Sequence, residues 1–522
     1  MQNTNQPTNH TLIIAHNSYW NFINYLTTGL TGILITIILS RYLGPQSYGT
    51  YAFLISFITV GSLILDFGIG QATYKYIPKY FNDPKNKKLA TIFFSKTLKV
   101  QLSISLALIS IAIITLKYWV NFININTPEV SFLIFPTLII ILPTIASKQF
   151  TNFLSATQNF KIIAKANILI QASNIFLLVL LTQLTQNVLV ALLIYGFTQT
   201  FSSILLIKKT LPLIKTNHQP EKSLNIKDIK KYTSIAYINL ILQFIVWSYS
   251  EVFFLNHYSP PQEIGFYTLA FSLAAIITAL PALYLRITYN AQFELLEKGE
   301  EEKADQISSL NVKLMNLLFL PLAIFLTYFS KEIILILYGT EYLKVQFILP
   351  LVLFGAIIPT ILGPATIKVN NDNKKFAITT IVIGVIGAII NLSLNYLLIP
   401  KYDSIGAGIA NLTSQMLVAI VSVFYILKTI KIVIDWQPIY KTLLINLVFA
   451  LVLLMSYILF SSVIVKISIF IASIFVYGKA ILRFKIINKR DLSIIDNLKL
   501  NSPPYISRIL RTLSSSIEKN IQ

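Results

Sequence analysis

The stretch YLGPQSYGTY at residues 42–51 is met a second time, as YSPPQEIGFY at residues 258–267. Tyr42, Pro45, Gln46, Gly49 and Tyr51 recur at Tyr258, Pro261, Gln262, Gly265 and Tyr267, always 216 residues on. Five identities in ten positions are hard to obtain by chance. The same offset pairs Pro143 with Pro359, Ala191 with Ala407 and Gln199 with Gln415, so the register persists through six apolar runs. Each copy lies in a short break rich in Pro and Gly between two such runs, where a helical hairpin turns.

Working outward, the apolar runs predict helices at 17–40, 47–69, 97–117, 129–153, 163–183 and 188–208, then 233–255, 264–290, 310–329, 345–367, 376–399 and 404–428, and finally 440–459 and 462–481. Most hold the roughly 20 apolar residues needed to cross a hydrocarbon core of about 30 Å. Of the 522 residues 55% are hydrophobic and only 12% charged, with mean hydropathy +0.68. A soluble domain carries about 25% charge. The fold class expected is an all-α polytopic membrane protein of about fourteen transmembrane helices.

Charge tests that count, because Lys and Arg accumulate in cytoplasmic loops. With both termini inside, 36 of the 42 Lys and Arg fall in cytoplasmic segments; only Arg41, Lys117, Lys331, Lys344, Lys401 and Lys466 lie outside. A missed helix would have scrambled that division. The formal charge of +21 sits in short loops beside apolar runs, which suits anionic headgroups rather than nucleic acid. Residues 1–16 lack the basic start of a secretory signal, so the first helix is expected to stay. The absence of cysteine removes thiol chemistry. His10, His16, His218 and His257 are expected in the N-terminal tail or in loops.

Six helices per repeat is an even number, so both halves enter the membrane in the same direction, related by an axis along its normal. The organisation expected is two pseudo-symmetric lobes, 1–208 and 233–430, joined by a basic loop at 209–232. Helices at 431–482 fall outside the repeat, and a basic, partly amphipathic tail at 483–522 suits the inner membrane surface. A partly disordered tail is the alternative.

The stretches SRYLGPQSYGTYAF at 40–53, LDFGIGQATYKYIPKY at 65–80 and NLSLNYLLIPKYDSIGAGIANLTSQ at 391–415 resemble the polysaccharide-exporter, or O-antigen flippase, branch of the multidrug/oligosaccharidyl-lipid/polysaccharide flippase superfamily. Two departures stand out: Asp403 where the family usually has Gly, and Glu251 where an Asp followed by Arg is often seen. The resemblance implies a two-lobed, MATE-like transporter. It would move a polyprenyl-diphosphate-linked oligosaccharide across the cytoplasmic membrane by alternating access, alongside glycan polymerase or ligase machinery, without a cofactor but with coupling to a proton or sodium gradient or to the membrane potential. Lipid II is the alternative cargo. A drug/cation antiporter would want acids dominating its cavity, and an enzyme such as a glycan polymerase or ligase would want a long outer loop with acid/base residues. No such loop is legible here.

Candidate substrate residues fall in two sets. Asn17, Asn21, Asn24, Thr28 and Thr31 recur at spacings that put them on one face of the first helix, and Asn239, Gln243, Trp247, Ser250 and Glu251 make a second face on the seventh. Facing each other, the stripes would line a hydrated cleft; the plainer alternative is hydrogen bonding between helices of one lobe. Charges within or beside apolar runs are costly and so are functional candidates. They are Arg41, Asp66, Lys75, Lys99, Lys148, Glu251, Arg286, Lys313 and Lys368. The bases suit a diphosphate, although Lys99, Lys148, Lys313 and Lys368 also sit where lysines snorkel to headgroups. Arg41 is the expected outer-side partner of Glu251.

Overall fold

The computed structural model describes residues 9–81, 83, 86–119, 128–214, 224–247, 250–297, 299–362, 374–430, 436–484 and 486. Among them stand sixteen α-helices and no strand: α1 (Asn9–Ile64), α2 (Ile69–Phe81), α3 (Lys87–Ile114), α4 (Leu116–Trp119), α5 (Pro128–Ala156), α6 (Phe160–Thr185), α7 (Val188–Ile214), α8 (Ile226–Trp247), α9 (Ser250–Tyr258), α10 (Pro261–Glu297), α11 (Glu301–Tyr328), α12 (Ser330–Leu337), α13 (Val345–Leu362), α14 (Lys374–Ile430), α15 (Trp436–Leu459) and α16 (Val463–Arg483). Nine of these are long and apolar enough to cross a membrane. α1 and α14 each hold two crossings, because the chain turns at Gly44 (φ 72°) and at Asp403 (φ 49°). α13, the α8–α9 pair and α10 complete the fourteen.

Several boundaries differ from the sequence reading. The first helix starts at Asn9 rather than near residue 17, which places His10 and His16 on a helix; His257 ends α9, and His218 lies outside the described residues. The helix expected to stop near 69 stops at Ile64, and a separate helix follows. Phe67 (φ 50°) and Gly68 (φ 74°) break the run, and the Asp66 carboxylate accepts the Gly70 N–H at 3.2 Å, starting α2 afresh as an N-cap does. α2 is two-faced, burying Ile69, Ala72, Tyr76, Ile77 and Tyr80 while Gln71, Tyr74 and Lys75 stay exposed. The short α12 was likewise not foreseen. The tail expected at 483–522 lies almost wholly outside the described residues.

Lipid is the solvent that explains the surface. α15 leaves Leu444, Leu447, Val448, Leu451, Met455 and Ile458 exposed, a face tolerable only against acyl chains. Its other face buries Thr442, Asn446, Phe449, Leu453 and Ser456. There Asn446 donates to the Asn316 carbonyl at 3.2 Å, and Tyr477 of α16 donates to the Leu317 carbonyl at 3.0 Å. These bonds dock α15 and α16 on α11, outside the repeated units.

α1 packs on α5, α6 and α7 and also on α10, so it touches helices of both copies of the repeat. The contact with α10 is made by the repeated motif itself. A Cβ on Gly49 would stand 1.7 Å from the Pro261 carbonyl oxygen, and one on Gly265 would stand 3.3 Å from the Gly49 Cα. Only glycine lets the two turns approach this closely.

Candidate functional site: a cavity between two inter-repeat contacts

Two closures join the lobes, one at each end of the bundle. At the end bearing the Gly44 turn, Arg41 donates from Nε to the Leu337 carbonyl at 2.8 Å and from Nη2 to the Ile336 carbonyl at 2.5 Å, capping α12 at the end where its dipole is negative. Tyr342 donates to the Ser40 carbonyl at 2.8 Å, and the Tyr338 and Thr36 hydroxyls lie 3.2 Å apart. Burial pushes the Tyr338 hydroxyl up to about 12. At the other end, Gly68 abuts α8, where an added Cβ would stand 2.4 Å from the Thr233 carbonyl oxygen. Tyr237 donates to the Ile64 carbonyl at 2.9 Å, and the Lys75 ammonium sits 4.0 Å from the centre of the Tyr232 ring.

Between these closures lies a cavity of about 290 Å³, walled by α1, α6 and α7 on one side and by α9 and α10 on the other. Its polar wall includes Thr36, Ser56, Gln171, Asn174, Gln199 and Thr268, and the rings of Tyr48, Tyr51 and Tyr195 supply flat apolar faces.

Glu251 is fully buried beside the cavity, next to the lining residue Val252. The expected partnership with Arg41 is overturned, since Arg41 is held by α12 carbonyls. Glu251 is instead enclosed by neutral donors: Asn391 at 3.0 Å and Asn411 at 3.1 Å, both to Oε1, with the Ser250 hydroxyl 3.3 Å from Oε2. Asn391 also donates to Ser414 at 3.0 Å, Asn395 donates to Asn391 at 2.9 Å, and Gln415 donates to Asn411 at 2.6 Å. The amides occur at i, i+4 on the two arms of α14 that meet at Asp403. That spacing was legible in the stretch 391–415, and polar residues repeated at helical spacing in an apolar run were the signal that could have found them. The link to Glu251, 140 to 160 residues away, was not.

Asp66, the other buried acid singled out, accepts from Gln149 at 3.0 Å and lies in the field of the exposed Lys148. It belongs to one lobe, at the α1–α2 junction, rather than to the cavity. The polar stripe on α1 turns mainly to α6: Asn17 donates to Gln158 at 3.1 Å, and Asn167 donates to Asn24 at 3.0 Å and to Thr28 at 2.8 Å. Hydrogen bonding within a lobe is thus what the structure shows for these residues, while Asn21 and Asn239 are half-buried. Lys99 is exposed and Lys313 is buried in α11. Lys368 and the side chains of Gln243, Trp247 and Arg286 lie outside the described residues. The sequence reading passed over Glu263, a buried acid that accepts the Lys344 ammonium at 2.7 Å and the Ser404 N–H at 3.3 Å. It also passed over the ion pair of Lys466 with Glu332, at 3.0 Å.

The fold and the family match place the chain among polytopic membrane proteins of the multidrug/oligosaccharidyl-lipid/polysaccharide flippase superfamily. A model of the family described as polysaccharide biosynthesis protein matches residues 14–288, and the chain belongs to that family. An uncharacterized membrane protein of Methanocaldococcus jannaschii is 23% identical over 442 residues, covering 79% of this chain and 83% of that one. Among solved structures, lipid II flippase MurJ in an inward closed conformation is similar with a TM-score of 0.68 and 16% identity, over 90% of this chain and 100% of that one. An inward-facing multidrug resistance MATE family transporter of the MOP superfamily is similar with a TM-score of 0.60 and 14% identity, over 77% of this chain and 94% of the other. These two likenesses are of fold.

Proposed function

We propose that the protein flips a polyprenyl-diphosphate-linked oligosaccharide, such as an O-antigen, capsule or exopolysaccharide repeat unit, from the inner to the outer leaflet of the cytoplasmic membrane. The observation that carries this reading is the pair of closures framing a cavity lined by residues of both repeats: releasing either alone exposes the cavity to one side, as alternating access requires. In the orientation given by the loop charges, with both termini cytoplasmic, the Arg41 latch faces outward and the Lys75–Tyr232 contact faces the cytoplasm. Arg286 meets the diphosphate when the cytoplasmic end opens. Glu251 carries the coupling ion or proton, since the donors to this buried carboxylate among the described residues are all neutral and supply no compensating charge.

The test uses the full chain in proteoliposomes carrying a fluorescent prenyl-diphosphate-linked glycan, with flipping read by an impermeant quencher. Flux over the protein-free rate is expected. Arg286→Ala should abolish it and Arg286→Lys keep part of it, while Glu251→Gln should transport slowly with an altered response to a pH or sodium gradient. Absence of flux in a folded wild type would end the reading. Lipid II is the second substrate to be tested, favoured by the shared fold with lipid II flippase MurJ.

A further inference from the structure

We infer that Lys466 and Glu332 are positioning residues of the outer closure: through them α15 and α16, the helices outside the repeat, hold α12, and α12 in turn holds Arg41. The inference rests on the alternating-access reading and deepens it, because it gives the appended helices a part in the cycle. α12 is eight residues long, about 12 Å from end to end. Each end is tied by charge to a different part of the chain. In its first turn Glu332 accepts the Lys466 ammonium of α16 at 3.0 Å. At its last two residues the Ile336 and Leu337 carbonyls accept the Arg41 guanidinium of α1. Both charges suit the helix dipole, the acid at the positive end and the base at the negative one. Between them Ile334, fully buried, seats the helix in the core.

The Lys466 side chain is 6% exposed and that of Glu332 16%, so water does not compete for this pair as it does for ion pairs on a surface. The ammonium also lies 4.3 Å from the centre of the Tyr457 ring of α15. Tyr328, at the end of α11, donates to the Lys466 carbonyl at 3.4 Å, and its hydroxyl is hydrogen-bonded to that of Ser456 in α15. Phe329, where α11 gives way to α12, packs on Phe470 of α16 with ring centres 5.4 Å apart. The junction on which α12 would swing is therefore held by α15 and α16. Those helices are already fastened to α11 through Asn446 and Tyr477, so what the ion pair adds is a grip on α12. Counting back 216 residues, Glu332 stands where the first copy has Leu116, in α4. The acid thus occurs in the copy on which the appended helices dock and not in the other.

The experiment places the full chain in proteoliposomes with a cysteine at Ser56 in the cavity wall and follows its labelling by an impermeant maleimide from the outer face. Glu332→Gln combined with Lys466→Met removes both charges and strands neither. This double variant should melt close to the parent yet label about tenfold faster, the order expected when one hydrogen bond between charged groups no longer steadies α12. Arg41→Ala should also speed labelling, and the triple variant should label no faster than Arg41→Ala alone, because the pair acts through the latch. Parent-like protection in the double variant, or effects that multiply in the triple variant, would overturn the inference. If the double variant does not fold, Glu332→Asp, shorter by one methylene, decides the matter: faster labelling than the parent supports the strut, and the parent's rate overturns it. Labelling needs no substrate, so a failure here and a failure of the flippase reading, seen as absent flux, appear in separate assays.

Discussion

Replacing Gly49 by Ala should prise open the end of the bundle that Arg41 latches. The new methyl would stand 1.7 Å from the Pro261 carbonyl oxygen and 2.4 Å from its carbon, both backbone atoms that cannot rotate away. To bring the first contact to 3.0 Å, the two turns must part by about 1.3 Å. Bonds now at 2.8 Å, from Arg41 to Leu337 and from Tyr342 to Ser40, then stretch to roughly 4 Å, beyond hydrogen-bonding reach. Losing these with the second Arg41 bond removes about 3 to 4 kcal/mol from the closed form, taking each at the usual net value. Closure should therefore become roughly 100- to 1,000-fold less favourable. The chain contains no cysteine, so a single, nearly isosteric Ser56→Cys in the cavity wall, away from the latch, gives a clean reporter. Its rate of labelling by a membrane-impermeant maleimide should rise sharply in the Gly49→Ala background. Gly32→Ala, with nothing within 4 Å of the added methyl, should leave the rate unchanged. A folded Gly49→Ala protein labelled no faster than its parent would refute the assignment of these glycines to the closure.

At the opposite end, Gly68→Ala adds a Cβ 2.4 Å from the Thr233 carbonyl oxygen at a residue with φ 74°, so it should loosen the α2–α8 contact and speed labelling of the same reporter from the other face of the membrane; unchanged protection on that face would argue against a gate there. Asp403→Gly relieves a residue held at φ 49° and should raise stability by about 1 kcal/mol, read as a higher melting temperature in detergent. The lost contact with Lys344, at 3.9 Å and well exposed, offsets little of that gain. Glu332→Ala strands the buried Lys466 and should cost about 3 to 5 kcal/mol, whereas adding Lys466→Met should recover most of it. A double variant no more stable than the single would show that the pair does not hold α16 by its charges.

Periodicity and charge made most of the fold legible. Apolar runs of about 20 residues announce helices whatever they pack against, and the loop charges record which runs are consecutive crossings. The small helices were hidden because their cause is local backbone geometry: α2 exists because Phe67 and Gly68 leave helical space and Asp66 restarts the ladder. Asp403 stood out as a departure from the Gly that the resemblance led us to expect, and its φ of 49° is a backbone conformation that suits Gly. The sites were harder. A charge in an apolar run signals that something must compensate it, but not what. Arg41 found two carbonyls of a helix end, Glu251 found asparagines more than 100 residues distant, and Asp66 found a glutamine of α5. Partners of that kind are set by three-dimensional packing, to which spacing along one helix is blind. The stripe on α1 shows the same limit, because periodicity says that five residues share a face and not which neighbour that face meets.

The meeting of Gly49 with the turn that carries Gly265 has a further meaning. Gly49 and Gly265 are copies of one another, yet their surroundings are not: a Cβ on Gly49 meets the Pro261 carbonyl, whereas one on Gly265 meets Tyr48 and Gly49 rather than the matching Pro45. A methyl added at Gly49 therefore strikes backbone alone, while one added at Gly265 is met partly by the Tyr48 ring, a side chain. The sequence carries the same unevenness: the buried Glu263 before Gly265 stands where the first copy has Ser47, and the buried Glu251 beside the cavity stands where it has Ile35.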